Sequence, residues 1–341
     1  MSYIYIVGIP LIIYFINRFI EHKNILPSLT GEKHQLFVER KNIPLSGGII
    51  FLLGFFFILK FNIKFDYLFI FILFLIGFFS DLKIISSPRN RFFLQLLLIF
   101  LFVFIYDFEI SNVRIFFIDY LLNYKIFSFC FIIFCLLIVI NGTNFIDGLN
   151  GLVLGYFFSI LFIIYQLQLF EDFSVTKFEI IYFLELLFFL LLFNLFNKLY
   201  IGDGGSYLLG FIFAIVLILI YESNKNISPF FIVLLLWYPC FENLFSIIRK
   251  YRFNLSPLKS DNKHFHQLLF YYIKKKFNLS NLAANNLCSV LINIFNFLTL
   301  SIGSIDIFNS QLQIFIIFFN IILYIVLYLR FFDYRFKKNK L

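Results

Sequence analysis

Long apolar segments recur along the whole chain and constrain its fold more than any other feature. A bilayer leaves backbone polar groups without water, so chains cross it as helices or closed barrels. Apolar runs near 20 residues are typical of the helical solution. With 62% hydrophobic and 14% charged residues, the chain is also far more apolar than a soluble domain. Eleven segments qualify by number: 3–20, 46–60, 66–79, 92–106, 126–141, 150–169, 178–193, 206–221, 229–247, 284–302 and 311–330.

The sequence therefore predicts an all-α, polytopic integral membrane protein with ten or eleven transmembrane helices. It predicts one membrane-embedded domain over residues 1–341, with no soluble domain attached. The first apolar run has its basic residues, Arg18 and Lys23, at its end, whereas a signal peptide carries them first. We expect it to be a retained span with the N-terminus outside. The four cysteines lie in apolar runs without a C-x-x-C pair, which indicates buried thiols rather than disulfides or zinc ligands.

The basic residues predict the orientation. If the eleven segments all cross, 22 of the 28 Lys and Arg residues fall in odd-numbered connections and the C-terminal tail. The even-numbered connections hold six: Lys60, Lys64, Arg114, Lys125, Lys177 and Lys225. Basic residues concentrate in cytoplasmic loops, so we expect the odd connections and the C-terminus in the cytoplasm. Topology then accounts for most of the net charge of +9, and no nucleic-acid partner is expected.

Five polar clusters fall on that same predicted face. The central one is the segment 141–151, Asn-Gly-Thr-Asn-Phe-Ile-Asp-Gly-Leu-Asn-Gly, which is pinched between two apolar runs. Asn, Asp and Gly are also turn residues, so a helix-capping turn is an alternative. The other four clusters are Lys33-His34 with Gly47-Gly48, Ser80 to Arg91, Gly202 to Ser206, and Asp261 to His266.

The residue types in these clusters favour a hard cation bound together with a phosphate. Asp81, Asp147 and Asp203 with Asn141 and Asn144 offer oxygens suited to Mg²⁺, which shares its coordination shell with substrate phosphates. Gly204-Gly205-Ser206 could offer backbone N–H groups to a phosphate. The basic residues that could balance a diphosphate are Lys33, Arg89, Arg91, Arg249 and Arg252. His264 and His266 lack a third ligand cluster, which disfavours zinc.

Each of these residues also has a plainer interpretation. Asp81 and Arg91 could be loop charges that pair with each other, and Asp203 could cap the next helix. Glu185 and Glu242 lie inside predicted spans, where carboxylates are costly and often functional. They favour a rival class, a transporter with a midplane site. No internal repeat supports that class.

Taken in order, the clusters resemble the polyprenyl-phosphate N-acetylhexosamine-1-phosphate transferases of glycosyltransferase family 4, which include the bacterial phospho-MurNAc-pentapeptide transferases. The resemblance runs from about Lys33 to His266. It is carried by five motifs: Lys33-His34 with Ile43-Pro44 and Gly47-Gly48; Gly77 to Lys83 with Arg91 and Gln95; Asn141-x-x-Asn144-x-x-Asp147-Gly148-x-x-Gly151; Gly202-Asp203-x-Gly205-Ser206; and Asp261-x-x-His264-x-His266.

The resemblance implies transfer of a sugar-1-phosphate from a UDP-sugar to polyprenyl (undecaprenyl) phosphate with release of UMP. This would be the first lipid-linked step of cell-envelope polysaccharide synthesis, at the cytoplasmic face of the plasma (inner) membrane. An N-acetylhexosamine is the sugar implied. Mg²⁺ is the implied cofactor, with Mn²⁺ as a substitute, and the resemblance leaves room for a homodimer.

The resemblance also assigns roles to residues. It implies Asp203 and Asn144 as metal ligands, and Asp147 and Asp81 as groups that position the metal or the attacking phosphate. It implies His264 and His266, with Arg252, as the diphosphate site. The remaining substrate-binding residues that it implies are Lys33, Arg91, Asn141, Gly205 and Ser206.

Three positions depart from the family pattern. Ser80 stands where the first Asp of an Asp-Asp pair is expected, Asn150 where a second Asp follows Asp147, and Gln267 where a further His is expected. An inactive relative is therefore an alternative. Because a phosphate monoester has its second pKa near 6, the lipid phosphate is largely dianionic at neutral pH, and we do not expect the missing Asp to be obligatory.

Overall fold

The computed structural model describes residues 2–23, 43–58, 67–170, 175–254, 256 and 262–336. Lys33, His34 and Asp261 lie outside the described residues. Within these ranges the chain folds into α-helices, as the sequence predicts. They are α1 (Ser2–His22), α2 (Gly47–Ile58), α3 (Tyr67–Asp81), α4 (Pro88–Tyr106), α5 (Phe116–Leu122), α6 (Lys125–Ile146), α7 (Leu152–Gln166), α8 (Lys177–Leu195), α9 (Gly202–Ser223), α10 (Pro229–Leu235), α11 (Trp237–Arg252), α12 (Phe265–Phe277), α13 (Asn281–Gly303) and α14 (Ser310–Phe336).

Several helices begin where side chains can satisfy their first N–H groups. Thr176 and Glu179 form a capping box at the start of α8. Ser228 accepts from the Phe230 N–H just before Pro229, at the start of α10. Such local signals fix the helix starts, while packing in the bundle stabilises the helices themselves.

Within the described residues, each of the eleven predicted spans overlaps a helix or a pair of helices, but the helix lengths differ from the prediction. Among the described residues, six helices are long and apolar enough to cross a membrane: α4, α6, α8, α9, α13 and α14. The bent pair α10–α11 makes a seventh candidate, and α2, α3 and α7 are shorter apolar helices. The chain is thus a polytopic membrane protein with six or seven candidate spans rather than a demonstrated eleven. The orientation of its termini stays a prediction.

Helix α9 is the centre of the bundle. Within the described structure, 89% of its candidate span is buried, against 28–44% for the other five long spans. It packs against α2, α3 and α6. A helix that is apolar on all sides belongs in such a position, and the residues at its first turn are therefore surrounded by protein.

The predicted span 229–247 is broken. Helices α10 and α11 meet at Leu236 with a bend of 76°. Pro239 explains the break, because it cannot donate an N–H to the preceding turn and its ring crowds the carbonyl four residues earlier. The bent segment packs closely against Gly142 of α6, where an added Cβ would collide with the Pro239 carbonyl oxygen. The bend thus aims the amphipathic helix α11 along the end of α6.

The two ends of α9 test the predicted topology. Lys198 precedes this helix and Lys225 follows it, and both are exposed. A 22-residue helix is about 33 Å long, so it separates the two sites by a bilayer. In a background without the four native cysteines, we expect cysteine at Lys198 or Lys274 to react with an impermeant maleimide only from the cytoplasmic side. Cysteine at Lys225 should react in intact cells, and labelling of positions 198 and 225 from one side would exclude the arrangement.

Candidate active site

The carboxylate of Asp203 joins three helices at the first turn of α9. Oδ2 accepts hydrogen bonds from Ser80 Oγ of α3 and from the Arg91 guanidinium of α4, each at 2.6 Å. Oδ1 accepts from Asn144 Nδ2 of α6 at 2.7 Å. Hydrogen bonds to an ionised group are shorter and stronger than neutral ones. A side chain that is still 25% exposed thus anchors α3, α4 and α6 to α9 while remaining accessible to a ligand.

The amides of the central motif support this arrangement from α6. Asn144 Nδ2 also donates to Ser206 Oγ at 3.0 Å, and Ser206 Oγ donates to the Asp203 carbonyl at 3.1 Å. One turn earlier, Asn141 Nδ2 donates to the buried Gln95 Oε1 of α4 at 3.0 Å. Asn141 therefore links α6 to α4, and Asn144 faces the carboxylate.

Asp81 caps α9. Its Oδ1 accepts from the Asp203 N–H at 2.9 Å, and its Oδ2 accepts from the Gly204 N–H at 3.2 Å. A carboxylate at a helix N-terminus satisfies unpaired N–H groups and complements the helix dipole. The sequence allowed Asp81 to pair with Arg91 and Asp203 to cap the helix. In the structure the roles are reversed, because Arg91 pairs with Asp203 and Asp81 is the capping residue.

The glycines of the Gly-Asp motif serve close packing. Gly202 has a φ of +72°, a conformation that disfavours other residues. A Cβ on Gly77 of α3 would lie 2.5 Å from Gly204, and one on Gly48 of α2 would lie 2.6 Å from the Gly205 nitrogen. Gly205 and Ser206 are buried. The structure therefore shows no exposed phosphate-binding loop at residues 204–206, and the Gly47-Gly48 motif packs against the start of α9.

Asp147 supplies a second carboxylate to the site. It ends α6, is half-buried, and accepts no side-chain hydrogen bond from the described residues. Burial raises its pKa well above the ordinary value, and the nearby charges of Asp203 and Asp81 raise it further. A cation placed beside these carboxylates would reverse that effect.

Amide side chains hold the turn after Asp147. The Asn150 N–H donates to Asn285 Oδ1 at 2.8 Å, and Asn293 Nδ2 donates to the Gly151 carbonyl at 2.9 Å. The Asn150 side chain donates to Asn197 Oδ1 at 3.2 Å and is 4% exposed. The Asn150 backbone therefore joins the turn to α13, and its side chain joins the turn to the α8–α9 connection. A carboxylate at this position could accept hydrogen bonds but not make this donation.

The two histidines lie at the start of α12. Their rings are nearly parallel with centroids 5.7 Å apart, and the His264 ring is 5.3 Å from the Phe145 ring of α6. His266 is fully buried against Gly148, where a Cβ would lie 2.3 Å from Nε2. Burial lowers its pKa to about 3, and the neighbouring His264 adds to this, so His266 is neutral. Gln267 Oε1 accepts from the His264 N–H at 3.2 Å.

The predicted basic residues occupy different environments. Arg91 contacts the site directly, while Arg252 is exposed at the end of α11. Arg249 and Lys250 are buried instead, and Lys250 Nζ is 5.7 Å from the centre of the Phe145 ring. Sequence reasoning missed Lys250 and Phe145, because only the fold places Phe145 beside His264 and Lys250 over the Phe145 ring.

The comparisons with known proteins fit this geometry. Residues 66–221, which contain Ser80, Asp81, Asn144, Asp147 and Asp203, match the family model "Glycosyl transferase family 4". This family match covers less than half of the chain. A relative from Thermotoga maritima, undecaprenyl-phosphate alpha-N-acetylglucosaminyl 1-phosphate transferase, is 27% identical over 135 residues. The match covers 38% of this chain and 39% of the relative.

The donor set at Asp203 suits a hard cation held jointly with a ligand. Among the described residues, no group of three His, Cys, Asp or Glu side chains could hold a metal by itself. Mg²⁺ requires few protein ligands when phosphates supply the others. Asp203 and Asp147 offer carboxylate oxygens, and a half-turn of the Asn144 amide would present its Oδ1. Arg91 is the positive charge that a cation at Asp203 Oδ2 would displace.

Replacement of Asn150 tests the amide network that holds the turn after Asp147. We expect Asn150→Asp to destabilise the protein by about 1–3 kcal/mol, because a buried carboxylate would face the Asn197 oxygen without a donor between them. The measurement is the unfolding midpoint in detergent. Asn123→Asp, at an exposed position after α5, is the matched control and should leave the midpoint unchanged. Equal midpoints for the two variants would show that the Asn150 side chain does not hold the turn.

Proposed function

We propose that this protein transfers a sugar-1-phosphate, most simply an N-acetylhexosamine-1-phosphate, from a UDP-sugar to polyprenyl phosphate. The observation that supports it best is the convergence of Asp203, Asn144, Asp147 and Arg91 at one end of a membrane-embedded bundle. Phosphoryl transfer requires mainly positioning and charge neutralisation. Acidic oxygens for a cation, with a guanidinium beside them, supply both.

In the proposed reaction, an oxygen of the lipid phosphate attacks the β-phosphorus of the UDP-sugar. A new P–O bond joins the two phosphates, and the bond from the β-phosphorus to the bridging oxygen breaks, so that its electron pair leaves with UMP. When bound, Mg²⁺ would neutralise charge on the diphosphate, with Mn²⁺ as a substitute. Asp203 and Asn144 would hold it, and Asp147 would position it or the attacking phosphate.

The remaining side chains have supporting roles in this proposal. Arg91 is close enough to Asp203 to move onto a diphosphate oxygen, and its planar fork suits that ligand. His264 and His266 would border the diphosphate on the α12 side. Asp81 keeps the start of α9 in place through the two N–H groups that it accepts. Because Asp81 is already engaged, we assign it positioning rather than proton transfer.

The charge distribution supports the proposed cellular setting. With 22 of 28 basic residues on one predicted side, the site would face the cytoplasm from the inner membrane, where UDP-sugars are available. The product would be the first lipid-linked intermediate of an envelope polysaccharide. The apolar bundle allows the polyprenyl chain to stay in the bilayer while its phosphate reaches Asp203.

The structure weakens the evidence for the transporter alternative. Glu242 was one of two carboxylates that favoured a midplane site, but it is hydrogen-bonded to His264 and Tyr324 beside the proposed active site. Glu185 of α8 remains, and its Oε2 is buried without a hydrogen-bond partner among the described residues. One such carboxylate does not make a transport pathway.

Asp203→Asn tests the proposal. Membranes containing the wild-type protein should release UMP from a UDP-sugar when polyprenyl phosphate and Mg²⁺ are present. The variant should lose at least about 10²-fold in rate, because an amide neither binds the cation nor balances Arg91. Lys225→Gln, in the exposed loop at the far end of α9, should leave the rate unchanged. Similar UMP release by Asp203→Asn at saturating Mg²⁺ would remove Asp203 from the site.

Ser80→Asp tests whether the departure from the family pattern impairs the enzyme. Ser80 Oγ donates to Asp203 and accepts from Arg91, both at 2.6 Å, so an aspartate there would bring two carboxylates together. We expect less than about a tenfold change in turnover, since the lipid phosphate is already dianionic near neutral pH. General-base assistance is worth about 10²–10⁴-fold. A hundredfold gain in rate would therefore show that the wild-type site lacks a needed base.

A further inference from the structure

Glu242 occupies a buried position that joins three parts of the structure. It lies on α11 just beyond the bend and is 1% exposed. Oε1 is 2.9 Å from His264 Nδ1 and accepts from the Phe265 N–H at 3.4 Å. Oε2 accepts from the Tyr324 hydroxyl of α14 at 2.7 Å. Each oxygen of this carboxylate therefore has a donor, which compensates for its burial.

The chemistry of a carboxylate fixes the proton on His264. An ionised carboxylate only accepts hydrogen bonds, so the 2.9 Å contact requires the proton on His264 Nδ1. A neutral imidazole carries one N–H, and the hydrogen bond at one ring nitrogen selects the tautomer. With Nδ1 protonated, proton exchange between His264 and a ligand passes through Nε2.

His264 in turn lies against a residue of the central motif. Its ring lies against Phe145, which is the residue after Asn144, and is nearly parallel to that of His266. His266 fills the space beside Gly148, which is the residue after Asp147. The orientation of the His264 ring is thus set by Glu242 on one side and by the central motif on the other.

We propose that Glu242 is a positioning residue of the active site, which holds His264 in the Nδ1-protonated tautomer so that Nε2 serves the diphosphate of the sugar nucleotide. Tyr324 fixes the second oxygen of Glu242 and thereby couples α14 to the site. The identity of the ligand rests on the proposed function, whereas the tautomer does not. This arrangement also explains why a carboxylate is retained inside an apolar bundle.

The tautomer can be measured directly, because the chain has only four histidines. The protein is labelled with ¹⁵N-histidine, purified in detergent, and studied without substrate by long-range ¹H–¹⁵N correlation at a pH where the rings are neutral. Single His→Gln variants at positions 22, 34 and 266 assign the signals. We expect the proton of His264 on Nδ1. A wild-type ring protonated on Nε2 would overturn the proposal, even if no Glu242 variant folds.

Glu242→Leu provides the second arm. It removes the acceptor that faces Nδ1, so we expect the proton of His264 no longer to be held on Nδ1 and kcat to fall by about 10- to 100-fold. Tyr324→Phe should keep the Nδ1 proton, since it removes only the donor to Oε2. Glu185→Gln, which neutralises a carboxylate on α8, should change neither the tautomer nor kcat.

The outcomes separate the two claims. An unchanged tautomer or an unchanged kcat in Glu242→Leu would overturn the positioning role. A wild-type protein that carries the expected tautomer but releases no UMP with any sugar nucleotide would overturn the proposed function instead. Because the tautomer is measured without substrate, the effect of Glu242 on His264 can be tested whether or not the protein has the proposed activity.

Discussion

The carboxylate of Asp203 is the interaction on which the rest of the structure depends. Hydrogen bonds from Ser80, Arg91 and Asn144 bring α3, α4 and α6 to one point at the start of α9. Asp81 caps the same turn through its backbone N–H groups. The carboxylates of Asp203 and Asp81 can lie close together because Asp203 faces the Arg91 guanidinium and Asp81 faces a helix N-terminus. The polar site and the anchor of the central helix are the same set of atoms.

Close backbone approach makes this arrangement sterically feasible. Glycines on α2 and α3 face glycines at the start of α9, where a single added Cβ would collide with backbone. Gly142 likewise leaves room for the backbone at Pro239, where the bend brings α11 against α6. That second approach brings Glu242 and His264 against Phe145 of the central motif. The broken span thus places Glu242 where it can hold His264 beside the central motif.

Much of this architecture could be predicted from the sequence. The helical membrane fold follows from the apolar runs, and the motif residues Asn144, Asp147 and Asp203 are apparent as polar residues between such runs. The bend at Leu236 was missed because the apolar run continues through it, although Pro239 was a local signal. The roles of Asp81 and Glu242 were assigned differently, since each depends on a partner more than 20 residues away. Residue spacing alone does not disclose which donor faces a carboxylate.

The three departures from the family pattern show the same limit. Ser80, Asn150 and Gln267 each have a partner in the fold, namely Asp203, Asn197 and the His264 N–H. In the sequence they appeared as losses of acidic or basic groups. In the structure they are hydrogen-bonding residues suited to their surroundings, which favours a working site over a decayed one.

The most direct test of this account follows the phosphorus atom. Purified protein is given polyprenyl phosphate, Mg²⁺ and a UDP-N-acetylhexosamine labelled with ³²P at the β-phosphate and ³H in the sugar. The account predicts that both labels enter the lipid fraction in equal molar amounts, while unlabelled UMP is released. Transfer of ³H without ³²P, or release of ³²P into water, would show that the site does not transfer a sugar-1-phosphate.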